Sequence, residues 1–274
     1  MGPGGDAGPF FVHGPVMRLI IEADLDYHLP EPADVLLQVE VAAMADQRIE
    51  AECLQVTSPL PLAAVAAEDG IGQRCWVRGD GRMVATYRAT VVVERLPIDL
   101  ATLPATPVRG LPAETIPYLL PSRYCQSDRF EGFVRREFAG LEGGALAAAL
   151  VAWVGGALDY RGNASTGETT ALDTFASRSG VCRDYAHLLV AMARAGEIPA
   201  RCVAAYAPGV DPPDFHAVAE LWLDGRWHLV DATGMARADE IARVCVGRDA
   251  TDIAFMTVFG AATLNAQRVS VRRG

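Results

Sequence analysis

Apolar and polar positions alternate along much of residues 17–100, which is the pattern of β-strands with one buried face. Predicted strands cover 18–25, 35–41 and 82–94, and Gly79-Asp80-Gly81 predicts a turn before the last of them. The simplest architecture for these segments is a small antiparallel β-sandwich. Nothing in it suggests catalytic chemistry, so we expect it to serve as a scaffold, and the alternative is that it shapes one wall of the substrate cleft.

Helical spacing of apolar residues predicts four helices in the second half of the chain. The predicted segments are 128–160, which holds two helices parted at Gly143-Gly144, then 170–176 and about 182–195. The last helix should end at Gly196, because glycine and a proline shortly after it are the usual stop signals. Cys182 therefore falls in the first turn of a predicted helix.

Composition divides the chain into three parts. Residues 1–16 are rich in glycine and proline, and we expect a disordered or extraneous leader there. Prolines at 97, 104, 107, 112, 117 and 121 exclude long helices and predict an extended connection. We thus expect a β-sandwich domain with this connection at 17–120 and a catalytic domain at 121–274.

The position of Cys182 favours nucleophilic chemistry. Unpaired backbone N–H groups and the positive end of the helix dipole stabilise an anion at a helix N-terminus. A thiolate is such an anion, so this position should make Cys182 a better nucleophile. Buried cysteines are nevertheless common in proteins and most perform no chemistry, so the helix alone leaves a structural role open.

A β-hairpin is predicted downstream of that helix. Residues 215–223 and 226–231 alternate as two strands, and Asp224-Gly225 between them is a strong signal for a two-residue turn. Counting outward from the turn pairs Trp222 with Trp227 and Glu220 with Leu229.

This register places His216 and Asp231 on the same face of the hairpin, because side chains alternate between faces. They become diagonal neighbours, at about 7–8 Å or somewhat less between Cβ atoms. A carboxylate at that separation can orient an imidazole, as the third member of a catalytic triad does. Glu220 is the other diagonal neighbour of Asp231 and competes with His216 for its polar contacts.

Cysteine, histidine and aspartate in this order are typical of a cysteine-nucleophile triad. The segments that carry them read SGVCRDYAHLLVAMARAGEIPAR and HAVAELWLDGRWHLVDAT, followed by VGRDATDIAF. They resemble the bacterial transglutaminase-like superfamily, which has a papain-like cysteine-enzyme fold. The N-terminal part is similar to the β-rich domain that precedes the core in these proteins, so the resemblance spans about residues 17–274.

The resemblance implies that Cys182 is the nucleophile, His216 the base and Asp231 the orienting carboxylate. Members of this branch resemble cysteine proteases or amidases more than protein cross-linkers. Two positions depart from the family pattern, since Ala217 stands where relatives often carry an aromatic residue and Ala232 where proline commonly follows the aspartate. Both adjoin the chemistry, so they bear on substrate fit more than on the triad.

The expected reaction is acyl transfer from an amide of a peptide or protein, with no metal and no organic cofactor. The backbone N–H of Cys182 is the natural oxyanion donor. A second donor is not evident, and Tyr160 and the region of Trp153 are the candidates. Water as acceptor gives hydrolysis by a protease or amidase, whereas an amine gives transglutaminase-type transfer.

Three other functions stay open. An arylamine N-acetyltransferase shares the order of the triad and has a turn similar to residues 178–182, although its N-terminal part is helical. A non-catalytic peptide-binding domain could keep the same fold. A peptide N-glycanase-like activity could use the same triad.

Charge and hydropathy restrict the partners and the location. A net charge of −10 without a basic cluster argues against binding to nucleic acid. Residues 1–16 lack the features of a secretory signal, and the apolar run 143–158 is shorter than the roughly 20 residues that a membrane span needs. We therefore expect a soluble cytoplasmic protein that does not associate with membranes.

The six cysteines give no sign of a metal site. They stand at 53, 75, 125, 182, 202 and 245, without a Cys-x-x-Cys pair. Cys202 is expected to be inert core, because it lies in an apolar strand-like run. His187 should point away from Cys182 and serve in packing, since the two are five residues apart on one helix.

Overall fold

The computed structural model describes residues 16–274. Its strands are β1 (Val16–Leu37), β2 (Gln47–Val56), β3 (Ala63–Ala66), β4 (Gln73–Glu94), β5 (Asp159–Tyr160), β6 (Ser179–Gly180), β7 (Ala200–Tyr206), β8 (His216–Leu223), β9 (Arg226–Val230), β10 (Ala242–Gly247), β11 (Met256–Phe259) and β12 (Thr263–Arg273). Its helices are α1 (Glu131–Glu137), α2 (Gly143–Ala157), α3 (Ala171–Ser177), α4 (Cys182–Ala195) and α5 (Ala250–Ile253). The expectation for the leader lies outside the described residues, apart from Val16, where β1 begins.

The first sheet is built around two long strands. β1 and β4 have 22 residues each and pair antiparallel along almost their whole length. The sheet has six strands in the order β11-β1-β4-β2, with β12 also on β1 and β3 also on β4. The segments predicted as a β-sandwich are thus hydrogen-bonded within a single antiparallel sheet.

The predicted turn at Gly79-Asp80-Gly81 is wrong, because β4 runs straight through it. On the partner strand, Leu29 pairs with Gly81 and Ala33 pairs with Gly79, so three residues of β1 lie opposite one residue of β4. This β-bulge accommodates two prolines that have no N–H to give to the ladder. A Cβ at Gly79 would lie 2.7 Å from the Leu29 side chain, so a larger residue there would force that side chain to shift.

The C-terminal end of the chain returns to the first sheet. The sequence of residues 263–272 predicts a final strand. The structure confirms it as β12, which pairs with the N-terminal half of β1. β11 pairs with the other end of β1. The first strand of the described chain therefore lies beside the last one.

A second antiparallel sheet, in the order β10-β7-β8-β9, supports the central helix. α4 packs against β8, α2 and α3, and its residues from Asp184 to Arg194 are all buried. The predicted helices are confirmed, and the proline-rich connection forms only short 3₁₀ turns between 100 and 118. The chain has the predicted α+β class.

Membrane insertion through a helix has no support in the described part of the chain. None of the helices between residues 16 and 274 combines the length and the apolar character that a transmembrane span requires.

Candidate functional site

Cys182 is the first residue of α4 and lies at a cleft. The preceding residue, Val181, has extended backbone angles, so the helix begins abruptly at the cysteine. The Cys182 side chain is half-buried, and Cys182 lines a cavity of about 350 Å³ together with His216. The predicted placement of a thiol at a helix N-terminus is confirmed.

The predicted hairpin register is also confirmed. Trp222 pairs with Trp227, and Glu220 pairs with Leu229 across β8 and β9. Asp224 and Gly225 form the turn with φ values of 50° and 70°. Positive φ at both central residues is the type I′ geometry, whose twist matches that of the flanking strands.

His216 lies between Asp231 and Cys182. Its Nε2 is 2.9 Å from an Asp231 carboxylate oxygen, and both side chains are almost completely buried. The other ring nitrogen, Nδ1, is buried and makes no hydrogen bond. His216 and Cys182 line the same cavity, and the Cys182 thiol is near enough to the ring to help raise its pKa. The structure therefore brings together the three residues singled out by the sequence.

Asp231 is fixed by its own turn. One carboxylate oxygen accepts hydrogen bonds from the backbone N–H and the hydroxyl of Thr233, at 2.9 and 2.7 Å. The other accepts from the backbone N–H of Ala236 at 2.9 Å, in addition to His216. Burial opposes the charge, but His216 and Thr233 outweigh it and hold the pKa of Asp231 below its usual range. Asp-x-Thr is a spacing typical of such turns, so the sequence contained a signal for the hydrogen bonds between Asp231 and Thr233.

The His216 imidazolium is strongly favoured in this setting. Burial of the ring lowers its pKa, but the hydrogen bond to Asp231 and the adjacent Cys182 thiol outweigh burial. Together they raise the pKa of His216 to about 9. The ring is therefore positively charged at neutral pH, next to the thiol.

Asp184 supports the start of α4 and was missed by the sequence analysis. Its buried carboxylate accepts a hydrogen bond from the Val181 N–H at 2.8 Å and from the Ser165 hydroxyl at 3.0 Å. Gly180 lies so close that a Cβ there would be 2.6 Å from the Asp184 Cβ. A carboxylate three residues after the residue that caps a helix is a recognised N-terminal signal, so the position could have been identified.

Glu220 does not compete for Asp231 as the sequence analysis expected. Its carboxylate is completely buried and accepts hydrogen bonds from Arg201 at 2.8 Å and Arg243 at 2.5 Å. Arg201 also pairs with Asp69, and Arg243 also pairs with Asp46. This buried charge network connects the second sheet to segments that flank the first.

The two candidates for the second oxyanion donor have different surroundings. Tyr160 pairs through its backbone with Gly180, in the strand that leads into Cys182. The Trp153 ring instead packs against Phe175 and lies under the guanidinium of Arg178, at 4.7 Å from its centroid.

The cleft at Cys182 has a mostly apolar lining. Phe215 and Phe255 stack face to face with ring centroids 4.4 Å apart, and Val244 and Ile253 also contribute. Besides His216, the charged side chains among its lining residues are Arg183 and Asp214. Such a cavity suits a substrate with an apolar side chain next to the polar group that reacts with Cys182.

One cluster of three buried side chains contains residue types that bind metal ions. The ligand atoms of Cys125, His187 and Cys202 lie within 4.8 Å of one another. The backbone N–H of Ala250, however, donates to Nε2 of His187 at 3.1 Å, which leaves the proton of the neutral ring on Nδ1 and no lone pair for a metal. Burial lowers the pKa of His187 to about 3, and Tyr124 stacks on its ring. Three donors with this tautomer fit a four-coordinate zinc site poorly.

Comparison with known proteins identifies relatives of this chain. A family model described as the transglutaminase-like superfamily matches residues 139–232. A solved structure from Cytophaga hutchinsonii, described as a "putative cysteine protease", is 32% identical and has a TM-score of 0.90; the match covers 95% of this chain and 92% of that chain. An uncharacterized protein of Mycobacterium leprae (strain TN) is 31% identical over 110 residues, which are 37% of this chain and 39% of that protein. This chain therefore belongs to the transglutaminase-like superfamily.

Proposed function

We propose that the protein is a cysteine-nucleophile enzyme that hydrolyses amide bonds of peptides or proteins. The observation that carries this proposal is the position of His216, which hydrogen-bonds Asp231 through Nε2, leaves Nδ1 unpaired and lines the same cavity as Cys182. The structure from Cytophaga hutchinsonii described as a "putative cysteine protease", which is similar over almost the whole chain, supports the same class of reaction.

The proposed reaction begins with the Cys182 thiolate and the His216 imidazolium. Sulfur attacks the carbonyl carbon, and the C=O electron pair moves to oxygen to give a tetrahedral oxyanion. Collapse of this intermediate breaks the C–N bond, and the leaving amine takes the proton from Nδ1 of His216. Water then attacks the thioester and returns a proton to His216, which releases a carboxylic acid and restores the thiolate. Asp231 keeps the ring oriented and stabilises its charge.

Selective labelling tests the proposed nucleophile. The thiolate is the form of cysteine that attacks iodoacetamide, and a neighbouring imidazolium and a helix N-terminus both favour it. Brief, limiting treatment with iodoacetamide should therefore label Cys182 roughly tenfold or more faster than the exposed Cys53, as read by mass spectrometry of peptides. Equal rates at the two cysteines would contradict the proposal.

The pH dependence of catalysis follows from His216. The raised pKa means that the proton needed by the leaving amine is present at neutral pH and is lost as the pH rises through about 9. Hydrolysis of a peptide p-nitroanilide should thus decline above about pH 9. In Asp231→Asn the pKa of His216 should fall toward its ordinary value of 6.5, so the decline should begin at lower pH. If hydrolysis declined at the same alkaline pH in both proteins, the decline could not be assigned to His216.

A further inference from the structure

Two alanines on neighbouring strands line the cleft at Cys182. Ala204 of β7 and Ala217 of β8 are direct partners in the second sheet, so their side chains stand on the same face. Both line the cavity that Cys182 and His216 also line. Apart from glycine, no residue has a smaller side chain than alanine, so this alanine pair leaves room in the cleft that larger residues would fill.

A further wall of the cleft comes from the segment that returns to the first sheet. Ile253 ends α5, and Met256 begins β11, which pairs with β1. Between them, the Phe255 carbonyl accepts a hydrogen bond from the Gln38 N–H at 2.8 Å, and its ring stacks on Phe215. The first sheet therefore fixes one apolar wall of the cleft.

The two charged residues that line the cleft besides the histidine are engaged within the chain. Arg183 donates to the Ser165 hydroxyl at 2.7 Å and to the Thr166 carbonyl at 2.6 Å. Asp214 accepts a hydrogen bond from the side-chain amide of Gln267. Because both charges already have partners, the apolar surface between them decides which substrate side chain the cleft favours.

We propose that the alanine pair and residues 253–256 form a specificity pocket for a bulky apolar side chain, aromatic or branched, beside the scissile amide. This inference rests on the proposed function, since it names the substrate class of the same site. The cavity of about 350 Å³ gives such a side chain a place out of water next to Cys182. Its burial holds the amide near the thiolate, which lowers the entropic cost of the attack.

The test compares two alkylating reagents with the same reactive group, iodoacetamide and N-benzyl-2-iodoacetamide. In both, the thiolate sulfur forms a bond to the CH₂ carbon while the C–I bond breaks and iodide leaves, but only the second carries an apolar ring. The benzyl preference is the rate with the second reagent divided by the rate with the first. It should be about one at the exposed Cys53 and about tenfold or more at Cys182, because only the cleft buries the ring.

Ala204→Leu should reduce the benzyl preference of Cys182 to about one, because the larger side chain occupies the space of the ring. The rate with iodoacetamide should stay within about twofold of the unmodified protein. Ala64→Leu is the matched control, since it makes the same change at an exposed alanine of β3 and should keep the preference. If Ala204→Leu does not fold, Met256→Ala provides the test, because loss of this half-buried wall residue should lower the preference severalfold.

Three outcomes would overturn the proposal. The first is a benzyl preference at Cys182 that equals the one at Cys53. The second is a preference that survives in Ala204→Leu and in Met256→Ala, because the ring would then bind elsewhere. The third is an equal loss of preference in Ala64→Leu. Failure of the proposed function looks different, since Cys182 would then react with iodoacetamide no faster than Cys53, whatever the benzyl preference.

Discussion

Replacement of His216 by alanine should lower the hydrolysis of a peptide p-nitroanilide by about 10²–10⁴-fold, the usual contribution of a positioned acid and base. Two steps lose their proton carrier, because the leaving amine must be protonated and the attacking water must be deprotonated. The loss should be largest at neutral pH, where the imidazolium normally pairs with the thiolate. Rates of hydrolysis and of Cys182 alkylation, measured on the same preparation, give both effects.

His228→Ala is the matched control for that experiment. His228 lies on the same hairpin, is buried, and hydrogen-bonds through Nε2 to the Leu223 carbonyl at 3.0 Å. Its removal deletes a ring of the same size without touching Cys182. A similar fall in hydrolysis and alkylation in both variants would attribute the effect of His216 to packing and would refute its role in proton transfer.

Glu220→Gln should destabilise the protein by about 3–5 kcal/mol, the usual loss when one partner of a buried ion pair is removed. The substitution keeps the shape of the side chain but leaves Arg201 and Arg243 without the carboxylate between them. Chemical unfolding in urea, with the midpoint and slope fitted together, measures the loss.

Asp34→Asn provides the comparison for Glu220→Gln. Asp34 also pairs with an arginine, Arg78 at 3.0 Å, but its side chain is 63% exposed. Exposed pairs contribute only about 0–1 kcal/mol, so this variant should unfold near the unmodified protein. Equal losses of unfolding free energy in the two variants would show that burial does not determine how much the Glu220 network stabilises the protein.

The pH dependence of stability gives a second readout for Glu220. Burial opposes its ionisation, but Arg201 and Arg243 outweigh burial and lower its pKa from the ordinary value of 4.5. A lowered pKa contributes stability above about pH 4.5 that is lost as the pH falls further. Glu220→Gln should therefore lose less stability on acidification than the unmodified protein.

The contact between His216 and Asp231 was predictable because it depends on local chain geometry. A two-residue turn at Asp224-Gly225 fixes the register, and the register alone decides which side chains share a face. The extent of α4 was predictable for the same reason. Its apolar spacing and the stop signal at Gly196 lie within one short segment.

Pairing between distant strands was not predictable in the same way. The sequence near Gly79 and Gly81 has the composition of a turn, yet β4 continues because β1 offers it a partner with a compensating bulge. Likewise, the alternation in β12 predicts a strand but not its neighbour, which is β1 at the other end of the chain. Local patterns contain no information about which edge a strand will join.

The sequence by itself determined the helices, the hairpin register and the three residues that converge at Cys182, because each depends on periodicity or on a turn within a few residues. Only the tertiary structure decided what surrounds them. Glu220 pairs with Arg201 and Arg243 rather than competing for Asp231, and Tyr160 pairs with Gly180 in a two-residue ladder next to the start of α4. The charge network forms because a buried carboxylate must find a partner within the folded chain.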